Sequence, residues 1–372
     1  MALGKAAVFV EPYHFEMAEL PPPPVEAGGI LVKITAGGIC GSDLHFWRGE
    51  MKPIVSGQPG PVILGHEMTG VVDTLGQGIG TDSMGRSLEE GDRVVFAYFF
   101  PCRRCYICMR GELNYCPNRF RFRASIKEFP YCNGGFSEYY YLWPGHFVFK
   151  VPGELPDEAV TAANCAVSQV VYGLHQAKVR LGDSVVVQGA GGLGINATAV
   201  AKEMGAGQVI AIDGLSNRLG LASQCGADQT IDINEYSTAE SRIERVKQLT
   251  EGRGADVVVE VVGYPQVVPE GIEMLRNGGT FVEIGNIWPN STVEMDISKI
   301  LWGVANIVST AHYDPYILPV ALDFLVRTKD KYPLTKVMSH GFPLEDIDQA
   351  FREAEWSGKQ EGARVTRAFV TP

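Results

Sequence analysis

A short stretch of the chain contains four cysteines at the spacing of a metal site. The cluster consists of Cys102, Cys105, Cys108 and Cys116. Four thiolates this close in sequence suit a tetrahedral zinc ion, and an all-cysteine shell leaves no position open for a substrate. We therefore expect a structural zinc that fastens the loop, with Arg103, Arg104 and Arg110 offsetting the charge of the thiolates. Disulfides are the alternative, but a bridge between Cys102 and Cys105 would be geometrically unfavourable.

A second possible metal site would take its ligands from distant parts of the chain. Its candidate ligands are Cys40, His66 and Cys165. Two carboxylates, Asp43 and Glu67, stand beside these candidates, and a zinc-bound histidine usually donates its second ring N–H to such a group. The alternative interpretation is that the cysteines are small core residues and that the histidine lies at the surface.

The third group of interest is a glycine-rich turn, Gly189-Ala-Gly191-Gly192-Leu193-Gly194. It lies between a β-branched run, Val185 to Val187, and an alanine-rich stretch without helix breakers. In this context Gly189 would permit the turn, Gly191 would admit a pyrophosphate, and Gly194 would let the helix pack on the strand. The helix N-terminus would then face the anion.

Asp213 ends the next buried strand, at the distance where an acidic residue binds the adenosine ribose. A carboxylate at this position would repel a 2′-phosphate, so we expect NAD rather than NADP as the cofactor. The alternative is an ordinary βαβ turn followed by a solvated aspartate.

Composition and charge narrow the classes of function. A chain of 372 residues with 45% hydrophobic residues should form about two domains. The net charge of −11 argues against a nucleic-acid partner, although segment 118–132 is locally aromatic and basic; we interpret it as a substrate-side or interface loop. Because Glu11 and Pro12 cut the first apolar run short, we expect neither a secretory signal nor a membrane-spanning stretch. We therefore expect a cytoplasmic protein without a membrane partner, in which the cysteines favour metal binding over disulfides.

Two patterns of secondary structure would position these groups. Residues 3–10 predict an edge strand, and the opening third has short strands between Gly and Pro turns, which indicates a β-rich domain. Further along, strands alternate with helices, which predicts a doubly wound parallel sheet. These later strands are predicted over residues 185–187, 209–212, 256–262, 280–285 and 306–310. A helix over 267–275 would be ended by Asn277-Gly-Gly.

Together these motifs resemble those of the zinc-dependent medium-chain alcohol dehydrogenases, over essentially the whole chain. The resemblance is carried by Cys40-Gly-Ser-Asp-Leu-His45, Gly65-His66-Glu67, the four-cysteine cluster and the glycine-rich turn with Asp213. It implies an α/β fold with a Rossmann doubly wound parallel sheet that binds NAD (residues 167–310) and a β-rich GroES-like catalytic domain (residues 1–166 and 311–372). It also implies a homodimer or homotetramer, often built by edge-to-edge pairing of the Rossmann sheets.

The resemblance also implies roles for individual residues. Cys40, His66 and Cys165 would hold a catalytic zinc, with Glu67 behind it, Asp43 orienting His66, and Ser42 and His45 relaying the proton. The cofactor would be bound by Gly189, Gly191, Gly192, Leu193, Gly194, Asp213, Arg218, Val262 and Ile284. Met51 and Tyr98 would line the substrate pocket. Polyol-type relatives have Glu-Pro where this chain has Asn164-Cys165, which favours simple or cyclic alcohols.

These expectations combine into one hypothesis of function. We expect reversible, NAD-linked oxidation of an alcohol (secondary, bulky or cyclic) to a ketone or aldehyde, with the zinc ion acting as a Lewis acid. A polyol dehydrogenase of the same family is the alternative. A zinc-independent quinone or enoyl reductase, or a non-catalytic NAD- and zinc-binding redox sensor, must also be considered. The joint presence of Cys40, His66 and Cys165 argues against the reductase, which needs no metal.

Overall fold

The first part of the chain forms antiparallel β-sheets. The computed structural model describes residues 3–51, 61–121, 125–356, 359, 362 and 366–372. The strands of this part are β1 (Gly4–Glu11), β2 (His14–Leu20), β3 (Ile30–Gly38), β4 (Val62–Ile63), β5 (Glu67–Leu75), β6 (Arg93–Phe96), β7 (Phe99–Phe100), β8 (Phe120–Arg121), β9 (Tyr139–Leu142) and β10 (Val148–Lys150). Three short helices lie between or after them: α1 (Gly41–Trp47), α2 (Tyr106–Met109) and α3 (Asp157–Val160).

The prediction of an edge strand at the N-terminus was wrong in one respect. Strand β1 is the central strand of a three-stranded sheet with the order β2-β1-β4. Its partners are antiparallel on both sides, with β4 pairing through Val8 and Phe9. The sequence shows the alternation of β1 but not the distant strand that covers its second edge.

The middle of the chain forms a six-stranded sheet in which every strand is parallel to its neighbours. Its strands are β11 (Ser184–Gln188), β12 (Gln208–Asp213), β13 (Gln229–Asp232), β14 (Ala255–Glu260), β15 (Leu275–Glu283) and β16 (Asn306–Ser309). The order β13-β12-β11-β14-β15-β16 reverses direction between β11 and β14. In such sheets ligands bind at the carboxyl ends of the strands, at this point of reversal.

Helices cover both faces of the parallel sheet. They are α4 (Ser168–Gln176), α5 (Gly192–Glu203), α6 (Ser216–Gln224), α7 (Ala239–Leu249), α8 (Val267–Met274) and α9 (Ser298–Gly303). Val185 and Val187 pack in the same core as Ile195 of α5, whereas Val186 packs on the other face with Val246 of α7. Because successive side chains of a strand point to opposite faces, the valine run of β11 supplies both cores. The Rossmann sheet predicted from the sequence is therefore confirmed.

Strand β15 begins earlier than the sequence predicts. It starts at Leu275, directly after α8, and runs through Gly278 and Gly279, where we predicted a break. The pairing of β14 with β15 shifts register between Ala255 and Val257, and Gly278 has a φ of 75°. The two glycines thus permit an irregularity inside the strand instead of ending it.

The C-terminal part of the chain adds two strands to the large sheet of the first part. Helices α10 (Ile317–Thr328) and α11 (Ile347–Ala354) accompany strands β17 (Met338–Pro343) and β18 (Arg367–Thr371). Strand β18 pairs with β3, so the large sheet has the order β10-β6-β5-β3-β18-β17. No helix in the described ranges has both the length and the apolar character needed to cross a lipid bilayer. The domain bounds at 166/167 and 310/311 stay a prediction.

Candidate metal and cofactor site

Four buried side chains from separate loops converge at one point. One ligand atom from each of Cys40, His66, Glu67 and Cys165 lies within 4.8 Å of the other three. Cys40 caps the N-terminus of α1, His66 and Glu67 stand at the start of β5, and Cys165 lies in a π-helical turn, Ala163–Val167. The structure therefore brings together the three ligands that the sequence proposed, with the carboxylate beside them.

Asp43 connects two of these loops. Its carboxylate accepts hydrogen bonds from the backbone N–H groups of Cys40 at 2.9 Å and Gly65 at 3.3 Å. One of its oxygens lies 3.4 Å from Nδ1 of His66. The side chain thus lies where a carboxylate can orient the imidazole, as the sequence led us to expect.

The charges of this cluster suit a divalent cation. The pKa of Cys40 lies well below its usual value, chiefly because Cys165 donates a hydrogen bond to it, and the pKa of Cys165 is raised in return. Burial opposes a charge on His66, but Asp43 and Cys40 outweigh it and raise its pKa to about 10. Burial and Cys40 raise the pKa of Glu67 to about 7. Two sulfurs, an imidazole and a carboxylate compete for protons here, and zinc is the metal that favours such a donor set.

Arg367 joins the metal cluster to the glycine-rich turn, and the sequence analysis missed it. Its guanidinium forms an ion pair with the fully buried Glu67 and donates a hydrogen bond to the carbonyl of Ile39 at 3.3 Å. A Cβ atom on Gly192 would lie 2.2 Å from Cδ of Arg367. Position 192 therefore requires glycine because a larger side chain would clash with Arg367, and not only because a phosphate approaches the backbone there.

Ser42 and His45 stand one helical turn apart on α1 and both line the cavity described below. The hydroxyl of Ser42 lies 3.4 Å from Nε2 of His66. Nδ1 of His45 is within hydrogen-bond distance of the Glu50 carboxylate and of the Arg48 guanidinium. Burial, opposed by Glu50, lowers the pKa of His45. A buried imidazole thus lies between the cavity and an ion pair at the surface.

The glycine-rich turn has the geometry of a phosphate-binding loop. Gly189 has a φ of 93°, which favours glycine, and a Cβ on Gly194 would lie 1.7 Å from the carbonyl oxygen of Gly189. The nearest atom to a Cβ on Gly191 would be Nη1 of Arg218, at 3.9 Å. The turn is thus closely packed at Gly194 and open above Gly191, where the N-terminus of α5 begins; Leu193 also lines this space.

Asp213 lies at the end of β12 beside this turn. Its carboxylate accepts hydrogen bonds from the backbone N–H groups of Ala190 (2.8 Å), Gly214 (2.8 Å) and Leu215 (3.0 Å). Nη1 of Arg218 lies 3.7 Å from the same carboxylate. A carboxylate can accept about four hydrogen bonds, so Asp213 can still accept one from a ribose hydroxyl.

A pair of neighbouring carboxyl groups, one buried and one half-buried, supports the other side of the cavity. Glu260 and Glu283 are neighbours in the register of β14 and β15. The Glu260 carboxylate accepts hydrogen bonds from the backbone N–H groups of Val262 (2.6 Å), Gly263 (2.7 Å) and Gly285 (3.0 Å). Burial and the neighbouring Glu283 raise the pKa of Glu260 to about 8. The pair thus holds the two segments that present Val262 and Ile284 to the cavity.

One cavity of about 1170 Å³ is lined by residues from the metal cluster, the glycine-rich turn and the strand ends described above. The metal cluster contributes Cys40, His66 and Cys165 to its wall, and the glycine-rich turn contributes Gly189 and Gly191. The predicted pocket residues Met51 and Tyr98 also line it, and the ring of Tyr98 packs 5.2 Å from that of His66. The volume exceeds that of most ligand pockets, as a site for both a dinucleotide and a substrate requires.

The four-cysteine cluster lies apart from this cavity. The thiols of Cys102, Cys105, Cys108 and Cys116 lie within 4.8 Å of one another and are all free. The pKa of Cys102 falls to about 6, chiefly because the backbone N–H of Arg104 donates to it. Among the predicted arginine side chains, Arg110 pairs with Glu112 at 3.1 Å, and Arg103 packs 4.4 Å from the Phe147 ring while its charge and Cys108 act on each other. The backbone and Arg103 therefore both support the thiolates.

The described part of segment 118–132 includes a residue that packs in an aromatic cluster and a residue that lines the cavity. The Phe129 ring packs 5.2 Å from Tyr141 and 5.4 Å from Trp143, so it belongs to an aromatic cluster and not to an open binding face. Arg119 lines the cavity. Residues 122–124 lie outside the described residues, and the side chains of Phe120 and Arg121 are not described.

Comparisons with known proteins agree with this geometry. The family model "Alcohol dehydrogenase GroES-like domain" matches residues 26–153, and "Zinc-binding dehydrogenase" matches residues 192–327. The chain is 33% identical to a 5-exo-hydroxycamphor dehydrogenase of Pseudomonas putida, covering 94% of this chain and 95% of that protein. It is 32% identical to an erythritol/L-threitol dehydrogenase of Mycolicibacterium smegmatis, covering 96% and 95%. The structure of an alcohol dehydrogenase from Thermotoga maritima, 29% identical, superposes with a TM-score of 0.90 over 100% of both chains.

The chain belongs to the zinc-dependent medium-chain alcohol dehydrogenases. Members of this family are oxidoreductases that act on CH–OH groups with zinc and a nicotinamide cofactor. The predicted fold class, enzyme class and cofactor types are therefore confirmed at this level. The roles of individual residues, the choice between NAD and NADP, and the kind of alcohol stay predictions.

Proposed function

We propose that this dehydrogenase oxidises a secondary or cyclic alcohol to a ketone, reversibly, with NAD as the hydride acceptor. The observation that supports the proposal best is the convergence of Cys40, His66 and Cys165 in the wall that also contains Gly189 and Gly191. A zinc ion held by these three ligands would supply Lewis-acid chemistry that lowers the pKa of the substrate hydroxyl. The four-cysteine cluster would hold a second, structural zinc.

The side chains of α1 would remove the hydroxyl proton. Ser42 would accept it beside His66, and His45 would pass it to Glu50 and solvent, since Glu50 is exposed and contacts the His45 ring. Val262 and Ile284, held by Glu260, would support the nicotinamide ring. Asp43 would orient His66, and Arg367 would fix Glu67 behind the metal ligands.

The residues around Tyr98 support the choice of a bulky or cyclic alcohol. Met51 and Tyr98 present buried apolar surface to the cavity, which suits a bulky or cyclic carbon skeleton. One curated relative acts on a hydroxycamphor, which agrees with this choice. A polyol is the second candidate, because another relative of similar identity is an erythritol/L-threitol dehydrogenase.

The proposal is tested with a panel of primary, secondary, cyclic and polyhydroxy alcohols, each with NAD and with NADP. We expect the highest kcat/KM for a cyclic secondary alcohol with NAD, and about two zinc ions per chain in the purified protein. Turnover confined to polyhydroxy compounds would favour the second candidate. A single zinc with no alcohol oxidation would instead favour a reductase or a redox sensor.

The preference for NAD should depend on Asp213. Replacing Asp213 with Asn removes the negative charge beside the ribose and leaves Arg218 available for a 2′-phosphate. Juxtaposed like charges cost several kcal/mol, so we expect the NAD/NADP ratio of kcat/KM to fall by roughly 100-fold. Asp232→Asn is a matched control, since Asp232 pairs with Asp213 in register on β13 and does not line the cavity. An unchanged ratio in Asp213→Asn would contradict the assignment.

The outer edge of the Rossmann sheet supports the proposal that the chain pairs with a second copy of itself. Strand β16 ends the sheet order, and its neighbourhood exposes large apolar side chains, including Leu301 (71%) and Trp302 (78%). An unpaired edge with such a patch suits pairing with the same edge of another chain. A cytoplasmic location also stays a prediction.

Replacing Trp302 with Glu should therefore dissociate the oligomer, because a buried and unpaired charge is costly. The measurement is the mass in solution by light scattering during gel filtration. We expect a dimer or tetramer for the natural chain and a smaller species for Trp302→Glu. Leu181→Glu, which alters an exposed apolar residue distant in sequence from β16, should leave the mass unchanged. A monomeric natural chain would refute the proposal.

A further inference from the structure

The candidate metal ligand Cys165 lies in an irregular part of the backbone. It belongs to the π-helical turn Ala163–Val167. In this turn the backbone N–H of Val167 donates to the carbonyl oxygen of Ala162, five residues earlier, at 3.1 Å. Such turns are rare and often lie at functional sites. The direction in which the Cys165 side chain points therefore depends on the contacts that hold this turn.

Tyr313 holds the carbonyl group immediately before Cys165. Its hydroxyl donates a hydrogen bond to the backbone carbonyl oxygen of Asn164 at 2.5 Å. Tyr313 and Asn164 are both fully buried, and burying a hydroxyl or a carbonyl group is costly unless it is hydrogen-bonded. Because a peptide group is planar, a hydrogen bond to this carbonyl also fixes the orientation of the amide that begins Cys165.

The side chain of Asn164 anchors the same turn to strands near a second metal ligand. Its amide nitrogen donates to the carbonyl oxygen of Phe96 at 3.0 Å, and its amide oxygen accepts from the backbone N–H of Met68 at 3.4 Å. Met68 lies two residues after His66 in the sequence. The turn is thus fixed on the side of His66 by Asn164, and its carbonyl is fixed by Tyr313.

A second contact joins the segment of Tyr313 to the helix that follows Cys165. The amide nitrogen of Gln169 donates a hydrogen bond to the Thr310 hydroxyl at 3.0 Å and another to the Thr310 carbonyl. Both residues are buried, and both line the cavity. Thr310 directly follows β16, the last strand of the Rossmann sheet. Residues 310–313 are therefore bound at two points to residues 164–169.

We infer that Tyr313 is a positioning residue, whose hydroxyl holds the third metal ligand, Cys165, where it can share an ion with Cys40 and His66. The inference rests on the proposed function, which assigns Cys165 as a ligand, and it adds a residue from outside the ligand set. Removing the hydroxyl would leave the Asn164 carbonyl without this buried partner, which favours a rearranged turn. Replacing a hydrogen-bonding partner of a metal site typically changes metal affinity by roughly 10- to 100-fold.

Cadmium NMR of the cadmium-substituted protein tests this role. Each bound ion gives its own resonance, and an ion with two thiolate ligands resonates apart from an ion with four. We expect both resonances for the natural protein. Tyr313→Phe should shift or broaden the resonance of the two-thiolate site and leave that of the four-cysteine cluster unchanged. Tyr332→Phe is the matched control, because Tyr332 is also buried, donates to Glu203 at 3.0 Å and does not line the cavity; it should change neither resonance.

Release of zinc to a coloured chelator gives a second readout that a purely structural role would not move. For the natural protein we expect two phases, one for each ion. Tyr313→Phe should accelerate one phase by roughly 10- to 100-fold and leave the other unchanged. Asn164→Ser, which shortens the side chain that anchors the same turn, should accelerate the same phase. The thermal midpoint should fall by a similar amount in Tyr313→Phe and Tyr332→Phe, because each loses one buried hydrogen bond.

Two results would overturn the inference. One is a Tyr313→Phe protein whose resonances and release phases match those of the natural protein. The other is a variant in which both metal sites change together, since Tyr313 would then stabilise the fold as a whole. If the natural protein binds two ions but oxidises no alcohol, the proposed function fails while these measurements still test Tyr313. A natural protein that binds an ion only at the four-cysteine cluster would contradict both.

Discussion

Replacing Cys40 with serine should abolish alcohol oxidation while preserving the fold and the binding of the cofactor. Cys40 is buried, and its sulfur shares the ligand cluster with His66 and Cys165. A serine hydroxyl does not ionise near neutral pH and is a poor zinc ligand, so the zinc content should fall from about two ions per chain to about one. Lewis-acid stabilisation of several kcal/mol would be lost with it, and we expect kcat to fall by at least about 1000-fold.

Three measurements separate this effect from misfolding. They are zinc content by elemental analysis, NADH affinity by fluorescence, and the thermal midpoint. Cys225→Ser is the control, because Cys225 is also buried but lies outside both metal clusters; it should keep two zinc ions and its activity. Turnover that persists in a Cys40→Ser protein with one zinc would show that the proposed Lewis acid is not required.

Residues whose chemistry is local in sequence were predictable. The four cysteines between 102 and 116 need only a short loop to converge, and the structure places their thiols together. The glycine-rich turn is equally local, because Gly189 and Gly194 must be small for the turn and the helix contact to form. Cys40, His66 and Cys165 required the resemblance as well, since residue type alone does not show that three distant loops meet.

Residues that act through tertiary contacts were not predictable in the same way. Arg367 is about 300 residues from Glu67 in sequence, yet a fully buried carboxylate needs a cation nearby. That requirement was visible for Glu67 only once its burial was known. Asn164 is similar: its side chain donates to the Phe96 carbonyl at 3.0 Å and accepts from Met68 at 3.4 Å, which fixes the turn that carries Cys165. A single sequence does not show which distant residue will form the hydrogen bond or ion pair that a buried polar group needs.

Arg367 connects the glycine-rich turn with the metal cluster. It lies against Gly192 at the start of α5 and pairs with Glu67 beside the metal ligands. Its strand, β18, is the one that returns the C-terminal part of the chain to β3. The position of the phosphate-binding turn relative to the metal cluster therefore depends on the last strand of the chain. Hydride transfer requires reacting groups within a few ångströms, and Arg367 contacts both of the segments whose separation matters for that distance.

Replacing Cys116 with serine should instead destabilise the protein. Cys116 is fully buried, and its sulfur lies 3.5 Å from that of Cys102 and 3.9 Å from that of Cys105. Loss of one thiolate should release the structural zinc, whose binding stabilises small domains by on the order of 10 kcal/mol. The loop also packs on the rest of the chain through Asn114, whose amide donates to the Tyr172 hydroxyl at 3.1 Å. If only part of that energy reaches the whole fold, the thermal midpoint should still fall by roughly 10 °C.

The opposite patterns of the two cysteine variants make the zinc assignments testable together. Cys116→Ser should bind about one zinc and unfold earlier, whereas Cys40→Ser should bind about one zinc and lose activity with little change in the midpoint. Cys132→Ser, which alters a buried cysteine outside both clusters, should keep both ions. A chelator should lower the midpoint of the natural enzyme towards that of Cys116→Ser and have less effect on the variant. Two zinc ions and an unchanged midpoint in Cys116→Ser would exclude a structural zinc at these four thiols.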